Sequence, residues 1–238
     1  MVTNCPFLTC SHIISHLAQF VKKNFTFCKK SDIIVDRKAK KENKMIIKET
    51  ILDKNSCYIE ALPLEVKGLL LHSVGCPVPD AMRFVSTWNP PKNRIVCVHA
   101  FINASDGVVY QTLPWDMRAR HSGGSANATH IGVEMCEPAS LKYVTNFSFE
   151  CDDVEGAREQ VKRVYDAAVE LFAYLCDRYS LDPLGENVII SHSEAYFRGL
   201  GSDHFDPEHL WNGLEMGYTM DGFRKDVSEG LKRRIWEN

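Results

Sequence analysis

Lys67-Gly68-Leu69-Leu70-Leu71-His72 is a short apolar run that ends on an imidazole. It is too short for a stable helix and has the unbroken hydrophobicity of a strand buried on both faces. Three more segments read as strands: 95–102, His130–Cys136, and Val188–Ser191, which ends at His192. Pro79-Asp80 opens a helix through Trp88, and Asn89-Pro90-Pro91 stops it. Asp106-Gly107 is a hairpin turn, so Val108–Thr112 returns antiparallel to 95–102. Residues 154–180 repeat apolar side chains at helical spacing from Val161 to Tyr179, with Asp152 or Asp153 as cap. After His192, a long loop containing Gly199 and Gly201 leads to Asp206-Pro207, and a short helix follows over Glu208–Leu214. Strands interleaved with helices predict an α/β domain with a central mixed β-sheet flanked by helices.

The chain has 238 residues, 45% hydrophobic and 25% charged, with a net charge of −3. These values exclude a disordered chain and a collagen. They offer no basic field to recruit nucleic acid. No stretch approaches the roughly 18 apolar residues of a membrane span. Residues 1–44 differ from the rest, with nine Lys/Arg against Asp32, Asp36 and Glu42, which leaves −9 for the remainder. In that segment the apolar stretch Ile13–Val21 precedes Lys22 and Lys23, the reverse of a secretory signal. It is expected to be poorly packed, and Lys41-Glu42 can be encoded by a purine-rich box ahead of Met45, so translation from Met45 is an alternative. The catalytic domain is expected over 45–225, with 226–238 as a short charged tail. Nine cysteines, none in a C-x-x-C pair, read as buried thiols rather than as a disulfide framework.

His72 and His192 both end apolar strands, and strand ends in α/β sheets are where sites gather. Each alone could be a core histidine bonded to backbone. Together with Asp206 they form a set that could hold a catalytic metal with one position left open. Residue type and spacing alone stop at that possibility.

A longer pattern runs in order through the chain: Leu69-Leu70-Leu71-His72-Ser73, Val98-His99-Ala100-Phe101-Ile102, Asp106 to Gln111, Arg120-His121-Ser122-Gly123-Gly124, Asn127, Ile131-Gly132-Val133-Glu134, His192, and Ser202-Asp203-His204-Phe205-Asp206-Pro207. It closely resembles the zinc-dependent N-acetylmuramoyl-L-alanine amidases of type 2, which share their fold with peptidoglycan-recognition proteins. The likeness spans roughly 46–225 and is greatest to enzymes of Firmicutes and their prophages. The resemblance implies hydrolysis of the amide between the lactyl group of N-acetylmuramic acid and L-alanine. It implies one Zn²⁺ on His72, His192 and Asp206, with Glu134 as general base. Many relatives have lysine where His204 stands, and a histidine there can also stabilise an oxyanion. Because histidine loses its charge near neutral pH, activity is expected to fall above about pH 7–8, and His204→Lys is expected to remove that fall. His99, His121 and Asn127 match positions near the substrate, although His99 fits a buried structural bond equally well. Trp115 and Arg118 could line the same groove, whereas His130 and His209 are expected at the surface or behind the site.

The leading reading is therefore an autolysin or prophage endolysin acting on peptidoglycan. It would be made in the bacterial cytoplasm without a signal peptide and act on the wall after release. A cytosolic amidase that recycles muropeptides shares the chemistry. A peptidoglycan-binding module without catalysis is the third reading, and it fits less well because all three ligand positions and Glu134 are present.

Overall fold

A computed structural model describes residues 45–91 and 96–237. The basic segment 1–44 and the start of the expected strand 95–102 lie outside the described residues. A six-stranded mixed sheet has the order β1-β4-β3-β5-β2-β8, built from β1 (Ile47–Glu49), β2 (Gly68–Ser73), β3 (Ala100–Ile102), β4 (Val109–Gln111), β5 (His130–Met135) and β8 (Ile189–Ser191). Strands β3, β5, β2 and β8 are parallel neighbours, and β4 meets β3 antiparallel across the Asp106-Gly107 turn. A two-stranded hairpin, β6 (Leu141–Tyr143) with β7 (Phe149–Cys151), stands apart from this sheet. The helices are α1 (Ser56–Glu60), α2 (Ala81–Trp88), α3 (Val154–Tyr179), α4 (His192–Phe197), α5 (Glu208–Gly213) and α6 (Met220–Glu237).

Alternation along the central strands divides the sheet into two faces. Leu69, Leu71, Ile131, Val133 and Ile189 join the main core, where Val161, Val164, Ala168, Leu171, Phe172 and Leu175 supply the buried stripe of α3. Leu70 and Ile190 face the other way, in a small apolar cluster with Ala126, Ala195 and Leu200. His72 and Glu134 keep step with Leu70 and thus stand on this second face, where less apolar cover leaves room for a site. Asp153 caps α3 by accepting from the Gly156 N–H, as one of the two expected caps.

The expected strand 95–102 is shorter than its hydrophobic run. Cys97 makes only an isolated bridge to Arg120, and regular pairing begins at Ala100. The expected loop after His192 begins as a helix: Ser191 and Glu194 form a capping box, so His192 is the first residue of α4. Helix α6 runs unbroken across position 225, and Phe223 and Val227 are buried against the core. The segment read as a tail continues this helix through Glu237. Phe223 packs edge-on against both Tyr165 and Phe172 of α3. Phe223→Ala is expected to cost about 3–5 kcal/mol, and urea titration of the variant checks it. Cys57, Cys97, Cys136 and Cys176 are buried free thiols.

Candidate metal centre and cleft

The carboxyl ends of three adjacent parallel strands converge on one place. His72 closes β2, Glu134 is its register partner on β5, and His192 follows β8. Asp206 comes from the loop before α5. All three expected ligand residues meet there: one ligand atom from each of His72, His192 and Asp206 lies within 4.8 Å of the others. They are almost fully buried, at 1, 4 and 7% exposure. Glu134 and His204 line the same cavity of about 830 Å³.

Hydrogen bonds assign the imidazole protons. His121 Nε2 faces the His130 carbonyl at 3.1 Å and must donate to it. Its Nδ1 is then an acceptor, so His72 Nε2, 2.9 Å away, carries a proton. His192 Nε2 likewise donates to the Ser122 carbonyl at 3.2 Å. In the neutral imidazoles both Nδ1 atoms present lone pairs. They point at the two oxygens of Asp206, at 3.1 Å from His72 and 3.3 Å from His192. Burial holds the His72 imidazole down to about 4, which keeps it neutral. Three lone pairs thus converge with no proton between them. A cation supplies what this arrangement lacks, and the donor set fits a metal ion with a further position free.

The sequence reading of the surrounding histidines divides. His121 lines the cleft, but both its nitrogens are committed, Nδ1 to His72 and Nε2 to the His130 carbonyl, and burial puts its pKa well below the usual imidazole value. Gly132 makes room for it: a Cβ there would stand 2.5 Å from the His121 ring. Asn127 also lines the cleft, and its Oδ1 accepts from the backbone N–H groups of His121 and Ser122. It therefore fixes the loop that presents the Ser122 carbonyl to His192. His99 is a correction to the expected substrate contact. It is wholly buried and outside the cleft lining, its Nδ1 accepting from Gly132 N–H and its Nε2 donating to the Met117 carbonyl. Trp115, buried and near-parallel to the His99 ring, is likewise outside the lining. His209, by contrast, lines the cleft. Its ring belongs to the site because Tyr143 holds it there, and no spacing rule connects those two residues.

His204 is exposed, with its ring stacked on His192 at 4.1 Å and its Nδ1 3.1 Å from Ser202 Oγ. Glu134 is the unusual group. Its Oε2 is buried without a hydrogen-bond partner. Burial, followed by the charges of Asp206 and Glu137, pushes its carboxyl well above the usual range. The reading by residue also missed Trp88 and Phe147, which reach the cleft from α2 and the β6–β7 hairpin.

Residues 62–209, more than half of the chain, match the family described as N-acetylmuramoyl-L-alanine amidase. The chain belongs to this family. It is an N-acetylmuramoyl-L-alanine amidase, and its mixed sheet flanked by helices is the fold shared with peptidoglycan-recognition proteins. Among solved structures, the hydrolase AmiA of Staphylococcus aureus, in complex with its ligand, aligns at a TM-score of 0.57 and 16% identity, covering 94% of this chain and 93% of that one. PlyL aligns at 0.54 and 17% identity over 79% and 98% of the two chains. A mutant endolysin from Bacillus subtilis aligns at 0.52 and 16% over 77% and 99%. At such identities the likeness shows the fold. A comparison with curated proteins gives no match. Among the described residues of the amidase, no helix is long and apolar enough to cross a membrane.

The His121–His72 bond yields a quantitative expectation. Partners that orient ligand imidazoles are worth about 10–100-fold in metal affinity. His121→Ala should lose that much, and Gly132→Ala should do the same by displacing the His121 ring. A competition titration with a chromophoric chelator measures both.

Proposed function

We propose that this amidase is a zinc enzyme that hydrolyses the lactyl–L-alanine amide of peptidoglycan as an autolysin or prophage endolysin. The observation that carries the reading is the buried, partnerless Oε2 of Glu134 beside three convergent lone pairs. His72 and His192 would hold the metal through Nδ1, and Asp206 through its carboxylate. When bound, Zn²⁺ supplies a Lewis acid that polarises the scissile carbonyl and acidifies water.

The remaining work falls to the protein's own groups. Glu134 Oε2 takes the proton of the attacking water and delivers it to the leaving amide nitrogen. Its raised proton affinity suits both halves of that transfer, since the conjugate acid must persist until the amine departs. His204, stacked on His192 at the mouth of the cleft, donates to the oxyanion that develops on the carbonyl. His121 and Asn127 position the ligands and the loop that carries them. The catalytic unit begins near residue 45, and the protein reaches the wall after release from the cytoplasm in which it is made.

The test compares purified wall with soluble muropeptide, using zinc-loaded enzyme and mass spectrometry of the products. The lytic role predicts release of stem peptides from insoluble wall at a rate comparable to that on soluble N-acetylmuramoyl peptides. Cleavage confined to the soluble substrate would assign it to recycling instead.

A further inference from the structure

His204 stands at the mouth of the cleft, exposed and stacked on the His192 ring, with centroids 4.1 Å apart and planes 14° from parallel. The stack fixes the plane of the ring. It fixes neither the edge that faces inward nor the nitrogen that carries the proton. Ser202, two positions earlier, supplies what is missing: its Oγ lies 3.1 Å from His204 Nδ1. Among the described residues, Nε2 has no hydrogen-bond partner, so it is the nitrogen left for a ligand in the cleft.

The direction of the Ser202–His204 bond follows from counting protons. Ser202 Oγ is also 3.2 Å from the Ser122 carbonyl. A carbonyl oxygen has two lone pairs. The Ser202 N–H takes one at 2.7 Å, and the His192 Nε2–H takes the other at 3.2 Å. The single hydroxyl proton is therefore free for His204 Nδ1. His192 Nε2, 3.4 Å from the same hydroxyl, already carries a proton and can only donate to it. Donation runs one way, from His192 to Ser202 to His204. The neutral His204 ring then keeps its own proton on Nε2. The opposite tautomer would turn a lone pair toward the developing oxyanion and repel it. Gly123 leaves space for this hydroxyl: its φ is +65°, and a Cβ there would stand 2.5 Å from Ser202 Oγ.

We propose that Ser202 is a positioning residue of the reaction, whose hydroxyl holds His204 in the tautomer that presents an Nε2 proton to the oxyanion. The inference rests on the oxyanion role given to His204 above. A neutral donor is weaker than a charged one, but the ring in this tautomer is a donor in either form.

Two measurements test this. In the first, zinc-loaded protein carrying nitrogen-15-labelled histidine is followed by long-range proton–nitrogen correlation at about pH 8.5, above the ordinary imidazole value. The signals of His204 are those missing from His204→Gln. The expected spectrum has the proton on Nε2 and Nδ1 shifted as a hydrogen-bond acceptor, and Ser202→Ala moves that Nδ1 signal toward its unbonded position. A proton on Nδ1 in the wild type would overturn the proposal. In the second, hydrolysis of soluble N-acetylmuramoyl-L-alanyl-D-isoglutamine is followed at saturating zinc. Ser202→Ala should lower kcat about tenfold with KM unchanged, as loss of one hydrogen bond does. Ser202→Thr, which keeps the hydroxyl, should stay within about threefold of wild type. In a His204→Gln background, Ser202→Ala should cost less than about twofold, because its effect passes through the ring. An equal loss in both backgrounds would make Ser202 a structural residue and overturn the proposal. Wild type that cleaves nothing would refute the amidase reading, and the oxyanion role with it. The tautomer is read without turnover, so the two failures are told apart.

Discussion

Glu134→Gln should lower kcat by at least about 10³-fold while leaving metal content unchanged. General acid–base groups contribute typically 10²–10⁴-fold, and this carboxyl serves both halves of the reaction. The substitution keeps the shape of the side chain and removes its basicity. Loss of activity without loss of metal separates a proton-transfer role from a structural one. The same variant carries a stability signature. The unfolded chain releases the Glu134 proton near its ordinary value of 4.5, whereas the folded protein holds it to higher pH. Stability therefore falls as pH rises from 4.5 toward the folded value, and the folded state is penalised above it. Glutamine has no such titration, so the metal-free variant should melt at or above the wild-type temperature at pH 7.5. Calorimetry across pH 5–8 checks the slope. A variant that melts well below wild type would make Glu134 a structural acid.

The second large effect concerns the metal. Chelation should abolish hydrolysis, zinc should restore it, and Asp206→Asn should not be rescued at zinc concentrations that saturate the wild type. Asparagine keeps the volume but removes the one anionic ligand from a set whose other members are neutral imidazoles. A ligand that binds only the folded state stabilises it by about 2.7 kcal/mol at a hundredfold excess over Kd. For a domain of this size that corresponds to a melting temperature raised by about 5–10 °C. Asp206→Asn should lose most of this shift. An unchanged melting temperature on adding zinc to the stripped wild type would count against the convergence of lone pairs as a metal site.

Particular residues explain how much of this was legible in the sequence. The apolar run before His72 announced β2 because a strand buried on both faces has little room for polar residues. Helix α3 was legible from its period and its Asp153 cap. The short strands were harder. Val98 is buried, yet pairing begins only at Ala100, since burial in the core does not require a ladder partner. Helix α4 carried a signal that went unread: Ser191-His192-Ser193-Glu194 is a capping box, and it makes His192 a helix residue. Of the site, the three ligand residues could be proposed from residue type and strand ends. Their tautomers could not, because these depend on the carbonyls of His130 and Ser122 reached only through folding. His99 illustrates the opposite error: it occupies a motif position near the site, but its two backbone bonds make it part of the frame. Phe147 and His209 had no sequence signal, since the β6–β7 hairpin and Tyr143 bring them to the cleft from distant positions.

The most direct test of the central claim is to digest purified peptidoglycan and count new L-alanine amino termini by mass spectrometry. Wild type and Glu134→Ala are compared with zinc, with chelator, and with zinc restored after chelation. The account predicts that termini appear with the zinc-loaded wild type, vanish with chelator, return with zinc, and never appear with the variant. Termini that persist in the presence of chelator, or wild-type yields from Glu134→Ala, would contradict it.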